Sequence, residues 1–318
     1  MPAAGATGAR AGRLGRVPPP VLVGVGIVSV QLGAGLAARL FTEIPPAAVT
    51  GLRLWTSAVM LAVIGGRGLA RTLGDIVRRR RWQDAGVAAA FGVALAVMNF
   101  SIYQSFARIP LGIAVTIEFL GPLAIAVVSS RHVIDLLWVC LAGLGVVLLA
   151  HGGTTLAGSA VPGSRGGHGL AVSGIAFALV AAVAWVGYIK LSAATGRRLT
   201  GSSGLAIAMI IAALIVTPPA VAAGHAALLR PGVLAAGAVI GLLSSVIPYR
   251  FELEALQRIP ARLYGIWVSV APAVAALIGL ILLSQSLAAR EWAAIGCVVV
   301  ASAGASRHAA GSAEAPQA

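Results

Sequence analysis

Charge is scarce in this sequence. Asp, Glu, Lys and Arg make up 10% of its 318 residues, against about a quarter in an ordinary soluble protein. Acidic residues number nine, and lysine occurs once, at Lys190. A water-soluble domain of this size needs a charged surface, so that class is excluded. Cysteine is scarce as well. Cys140 and Cys297 each lie inside an apolar run, at no spacing that suits zinc or a redox pair, and they read as two buried thiols. His132, His151, His168, His225 and His308 fall in loops or at the ends of apolar runs. No pair of them has metal-ligand spacing, so neither a metal nor a cofactor is expected. The chain shows no phosphate loop, nucleophile elbow or zinc-protease helix. An intramembrane enzyme would need a nucleophile and base, or a metal set, at membrane depth, and none is visible. The short alternating strands of a β-barrel are absent. So is any long polar stretch able to form a signal-reading domain, which argues against a sensor.

What fills the chain instead is apolar residue. The hydrophobic share is 59% and the mean hydropathy is +0.96. Runs of about 20 apolar residues, the length needed to cross a bilayer as helix, recur from end to end. The reading is an all-α polytopic membrane protein. Ten spans are expected, at about 18–40, 45–66, 85–106, 110–130, 133–151, 170–191, 202–223, 232–256, 261–284 and 290–307. Arg10, Arg13 and Arg16 before the apolar run from Val21 imitate a signal peptide. The run is as long as a full span and further spans come after it, so it reads as an uncleaved first helix.

The net charge of +14 raises the question of nucleic acid. The arginines sit mostly between apolar runs, where they orient helices, and nucleic-acid binding is rejected. With the N-terminus inside, sixteen of the 23 basic residues fall in loops on one face and five on the other, while Arg53 and Arg250 lie within spans. That asymmetry places both termini in the cytoplasm. Residues 1–17 read as a disordered cytoplasmic segment and 308–318 as a cytoplasmic tail. Two five-helix halves, 18–151 and 170–307, are separated by a Gly/Ser-rich linker at 152–169.

The halves share an element. Arg108-Ile109-Pro110 opens a long apolar run in the first, and Arg258-Ile259-Pro260 opens one in the second, 150 positions later. Pro122 and Pro272 keep the same offset. An odd number of helices per half inserts the second half upside down. Inverted repeats around a midplane site are a recurring architecture of secondary transporters. Gly121-Pro122, Pro248 and Pro272 are candidate points of bending within the spans, because proline removes a helix hydrogen bond.

The few polar groups inside spans are the candidate site. Arg53 and Glu118 each lie about eight residues from the outer end of a span, roughly 12 Å deep. Charge at that depth is expensive unless paired or facing water. The two are expected to face one cavity, as a substrate or proton site or as a structural ion pair. A zwitterionic amino acid would suit them, with its carboxylate on Arg53 and its ammonium on Glu118. Asn99 and Tyr103, four apart, share a helix face and either line the cavity or bond across helices. Trp185 and Tyr188 are placed by their spacing to pack or to face the substrate. Tyr249, Glu252 and Tyr264 complete the candidates, and Arg250 and Glu254, one turn apart, can neutralise each other. Helices three, four, eight and nine are expected to line the cavity. The partners implied are a small molecule, a proton and the bilayer; the oligomeric state stays open.

At these residues the chain resembles the drug/metabolite transporter superfamily, with two EamA-type halves, and within it the amino-acid exporters. The matching stretches are Gln31-Leu32-Gly33-Ala34, Leu52-Arg53, Met98-Asn99, the run from Pro110 through Glu118-Phe119 and Gly121-Pro122 to Ser129-Ser130-Arg131 and Asp135, Trp185 with Tyr188, and Ile247-Pro248-Tyr249 with Glu252. The resemblance implies ten helices in two inverted five-helix repeats in the bacterial cytoplasmic (inner) membrane. It implies export of small amino acids such as threonine and homoserine, driven by the proton gradient, with a permease for another small metabolite or drug as the alternative. Arg53, Asn99, Glu118, Trp185, Tyr249 and Glu252 match positions that carry function in that pattern. Ala38 stands where the pattern has lysine. Ala271 and Gln285 stand where it has glutamate.

Overall fold

The computed structural model describes residues 17–128, 134–150, 168–199 and 203–308. The expected N-terminal segment apart from Val17, most of the linker, Ser129-Ser130-Arg131, His132, His151 and nearly all of the tail lie outside the described residues. The elements in order are α1 (Pro19–Leu40), α2 (Pro46–Arg78), α3 (Trp82–Phe106), α4 (Leu111–Glu118), α5 (Leu120–Val128), α6 (Ile134–Ala150), α7 (His168–Arg198) and α8 (Ser203–Gly224). A 3₁₀ turn at His225–Leu229 leads to α9 (Pro231–Gly241), a π-helical turn at Leu242–Val246, α10 (Ile247–Leu256), α11 (Ala261–Val268), α12 (Ala271–Leu283) and α13 (Ala289–His308). Among the described residues there is no strand. Seven helices among them are long and apolar enough to cross a membrane, and Leu111–Ile125 is a shorter apolar one. The chain is a multi-pass membrane protein.

Prolines set the helix starts. Pro18, Pro45, Pro110 and Pro260 occupy the position just before α1, α2, α4 and α11. There an N–H has no helical partner to lose. The 150-residue offset extends to whole elements. α4 and α11 are both eight residues long, and their first and last residues are 150 apart (261 − 111 and 268 − 118). The turn before each carries the same backbone bonds: Arg108 and Ile109 N–H donate to the Ser105 carbonyl, and Arg258 and Ile259 N–H to that of Ala255. Each short helix breaks before its glycine or proline, at Phe119 in the first copy and at Ser269-Val270 in the second. Pro122 and Pro272 sit in the first turn of α5 and α12, where proline is tolerated.

Helix neighbours correspond between the halves. α3 packs along α7, as α10 packs along α1, and α4 and α5 pack on α7, as α11 and α12 do on α1. The pairs α2–α8 and α6–α13 map onto themselves, and α4 packs on α12. The start of α4 lies beside Gln285, just past the end of α12, because the Leu111 N–H donates to Gln285 Oε1 at 2.9 Å. That is the far end of the α11–α12 span from Ala261. Along this contact Gly112 lets two backbones touch: a Cβ there would stand 2.6 Å from Ala276 Cβ and 2.7 Å from its Cα. Gly112→Leu is therefore expected to cost about 1–3 kcal/mol or more. Thermal unfolding in detergent reads this, and a midpoint equal to the parent's would contradict the packing.

The second span breaks at Gly66 (φ 41°, ψ −123°), a conformation that only glycine adopts readily, and α2 then resumes as far as Arg78. Two expectations change. Glu254 pairs with Arg258 rather than Arg250, which is exposed. The cysteines are free, but Cys140 is exposed and Cys297 half-buried; in a bilayer protein an exposed apolar helix face is covered by lipid, so burial against protein is not required.

Candidate functional site

One cavity of about 440 Å³ gathers the polar residues of the spans. All nine residues read from the sequence line it: Arg53, Asn99, Tyr103, Glu118, Trp185, Tyr188, Tyr249, Glu252 and Tyr264. Pro122 and Pro248 also line it, while Gly121 and Pro272 stand behind the wall. Gly121 is held there by close packing, since a Cβ would lie 2.3 Å from the Ala182 carbonyl oxygen.

One wall is cationic. Arg53, projecting from α2, donates through Nη1 to Asn99 Oδ1 at 2.6 Å and through Nη2 to the Ser244 carbonyl at 3.5 Å. Asn99 is fixed in turn, its Nδ2 donating to the Leu95 carbonyl at 2.8 Å. The guanidinium lies 5.2 Å from the centre of the Tyr103 ring, within cation–π range. The Ser244 carbonyl is accessible because it belongs to the π-helical turn, whose wider winding displaces carbonyls from their usual partners. The same turn offers the Leu243 carbonyl to the Ser29 hydroxyl at 2.7 Å. Arg53 Nε, Tyr103 Oη and Ser244 Oγ are buried without a hydrogen-bond partner in the protein. Such groups are costly to leave unmade, so this wall has unspent capacity for a polar ligand. Asn99→Leu would strand the guanidinium further. The expected cost is about 2 kcal/mol of stability, read as a lower unfolding midpoint, and an unchanged midpoint would show that Asn99 does not hold Arg53.

The other walls are acidic and aromatic. Glu118 ends α4, at the break before Phe119, and both are lining residues. The Phe119 ring meets Trp185 edge-on, with centroids 5.0 Å apart. Glu252 on α10 lines the cavity together with Tyr188, Tyr249 and Tyr264. Among the described residues Arg53 and Glu118 form no ion pair, although they share the cavity. The ion-pair alternative gives way to Arg53–Asn99, which leaves the acid without a cation.

The sequence reading missed part of the lining. α1 contributes Leu22 through Ala34, including Gln31, and α13 contributes Ser302 and Ser306. Ser244 and Ser245 come from the π-helical turn. Gln31 was visible as the one polar side chain of its motif; the apolar α1 residues carried no chemical mark. Gln285 does not line the cavity. It is buried and holds the first turn of α4.

The cavity is unevenly closed. Beside its α4 end Ile109, Leu111, Ile113 and Ala114 are fully buried. Of their counterparts 150 positions on, Ile259, Leu263 and Tyr264 are only half-buried. No group of three or more His, Cys, Asp or Glu able to hold a metal occurs among the described residues.

The EamA-like transporter family matches residues 172–307. Over 286 residues the chain is 34% identical to the threonine/homoserine exporter RhtA of Escherichia coli K12, covering 90% of each protein. It is 32% identical over the same length to the threonine/homoserine exporter RhtA of Salmonella typhimurium LT2, again with 90% of each covered. A solved crystal structure, 18% identical, overlaps 90% of this chain and 97% of its own with a TM-score of 0.56, a likeness of fold.

Proposed function

The chain belongs to the EamA-like transporter family, and on that premise we propose that it exports small amino acids of the threonine/homoserine kind across the bacterial cytoplasmic membrane. The observation that carries the reading is the single cavity in which an arginine with unspent hydrogen-bonding capacity faces two carboxylates, Glu118 and Glu252. The substrate carboxylate lies on Arg53, beside Tyr103 and Ser244. Its ammonium lies toward Glu118, with Trp185 and Phe119 beside it. Glu252 with Tyr188, Tyr249 and Tyr264 forms the remaining wall.

The transport cycle is alternating access between two inverted five-helix repeats, 18–151 and 170–307, joined by the linker at 152–169. The ends, 1–17 and 308–318, are cytoplasmic. Ten spans result when the broken α4–α5 pair, α6 and α13 are counted with the seven long helices. The 150-residue offset of α4 and α11 and the matched neighbours of the halves support this arrangement. Uneven closure of the cavity suits one of two states, with the first copy packed shut and the second less so. The breaks beside Gly121-Pro122 and Pro272, and the π-helical turn before Pro248, are where the spans bend. Protonation of Glu118 releases the substrate ammonium and couples export to proton entry.

Expression in cells sensitive to toxic threonine or homoserine analogues tests this. The expected result is raised tolerance, with labelled substrate appearing outside. Unchanged tolerance with the protein present in the membrane would overturn the substrate class. A second reading, a permease for another small metabolite, is favoured by one observation: about 440 Å³ is within the range of pockets for drug-sized ligands and exceeds what threonine fills.

A further inference from the structure

The end of α2 is not used by the transport cycle. From Pro46 to the break at Gly66 the helix has about 20 residues, roughly 30 Å, which crosses the hydrocarbon core by itself. The continuation from Arg67 to Arg78 is surplus to the span. Its face toward the protein is Leu69, Thr72 and Ile76, all buried. Leu73 and Val77, 43% and 63% exposed, flank that face, and Trp82, 63% exposed, stands at the start of α3. Arg67, Arg71 and Arg78 fall within about 40° of one another on the helix. Arg79, Arg80 and Arg81 extend the charge through the turn.

Two features show that the charge is not consumed by the protein. Asp75 pairs with Arg79, and Asp84 with Arg81 and Arg198. Arg67, Arg71, Arg78 and Arg80 make no ion pair among the described residues. The turn itself is a Schellman closure, with Arg80 N–H on the Val77 carbonyl and Arg81 N–H on that of Ile76. Its left-handed position, φ 50°, is held by Arg80, where glycine is the unstrained choice. The sequence keeps a cation there against backbone preference.

We infer that residues 67–82 form an interfacial arm that binds anionic lipid headgroups, with Leu73, Val77 and Trp82 dipping below the phosphates that Arg67, Arg71, Arg78 and Arg80 neutralise. An exposed apolar strip beside a basic stripe is the pattern of a helix lying in the interface, and tryptophan settles at that depth. The occupant is the membrane that α2 has just crossed, so no other partner need be supplied. Through Arg81 and Asp84 the arm is tied to Arg198 at the end of α7.

The full chain in neutral detergent, titrated with phosphatidylglycerol or with phosphatidylcholine, tests the inference by its unfolding midpoint. The expected result is a larger rise with phosphatidylglycerol that shrinks as salt is raised. Replacing Arg67, Arg71, Arg78 and Arg80 together by glutamine should abolish the difference between the lipids, each arginine weakening lipid affinity about fivefold. If that variant does not fold, the pair Arg67→Gln and Arg71→Gln should reduce the difference without removing it. Equal responses to the two lipids in the parent would overturn the inference, as would an undiminished preference in the variants. The latter outcome would point to a lipid site elsewhere. None of these readouts depends on which substrate is carried.

Discussion

Glu118→Gln should uncouple transport from the proton gradient while leaving the protein folded. The side chain ends α4 and lines the cavity, with no cation paired to it among the described residues. Glutamine keeps the shape and some of the hydrogen bonding but never exchanges a proton. With one proton coupled per substrate, a gradient of one pH unit supports about tenfold accumulation, because each unit is worth about 1.4 kcal/mol. In vesicles carrying Glu118→Gln the ratio should fall to about one, whereas substrate exchange without a gradient should persist at reduced affinity. Parent-like accumulation in the variant would remove Glu118 from the coupling step. In that event Glu252, the other carboxylate on the cavity, becomes the group to test, by the same substitution.

Arg53→Ala should show the largest loss of substrate affinity. A hydrogen bond to a charged partner is worth about 1.5–3 kcal/mol, so the expected weakening is roughly ten- to hundredfold. Arg53→Lys should recover only part of it: lysine restores the charge but not the planar fork that can hold Asn99 and a carboxylate together. Equilibrium binding to the purified protein reads both. Unchanged affinity in Arg53→Ala would sink the carboxylate clamp and leave Arg53 as a packing group between α2, α3 and the π-helical turn.

The parts of this molecule that were legible in its sequence are those where a polar or rigid residue interrupts an apolar background. Arg53 and Glu118 were conspicuous because charge at membrane depth is expensive, Glu252 stood out through the family resemblance, and the three meet on one cavity. The shared element was legible because Pro110 and Pro260 fix helix starts wherever they occur. The hidden parts depend on packing between distant segments. Nothing in the sequence says that Arg53 bonds Asn99, 46 residues away, rather than Glu118. The lining from α1 is apolar and looks like any lipid-facing helix. The breaks fall at Phe119 and Ser269-Val270, a few residues ahead of the prolines that announce them, because a proline inside a chain is most easily placed in the first turn of the next helix. The extension of α2 past Gly66 was obscured by its arginines, which read as loop when hydropathy alone is used.

The most direct test of the central claim is counterflow in proteoliposomes of the purified protein. Labelled threonine and homoserine are offered outside against unlabelled substrate inside, with and without an imposed pH gradient. Saturable exchange that the gradient accelerates, and that Arg53→Ala weakens, is the predicted result. No exchange of either amino acid by folded protein would contradict the account, leaving the family and the fold in place and the cargo to be sought among other small metabolites.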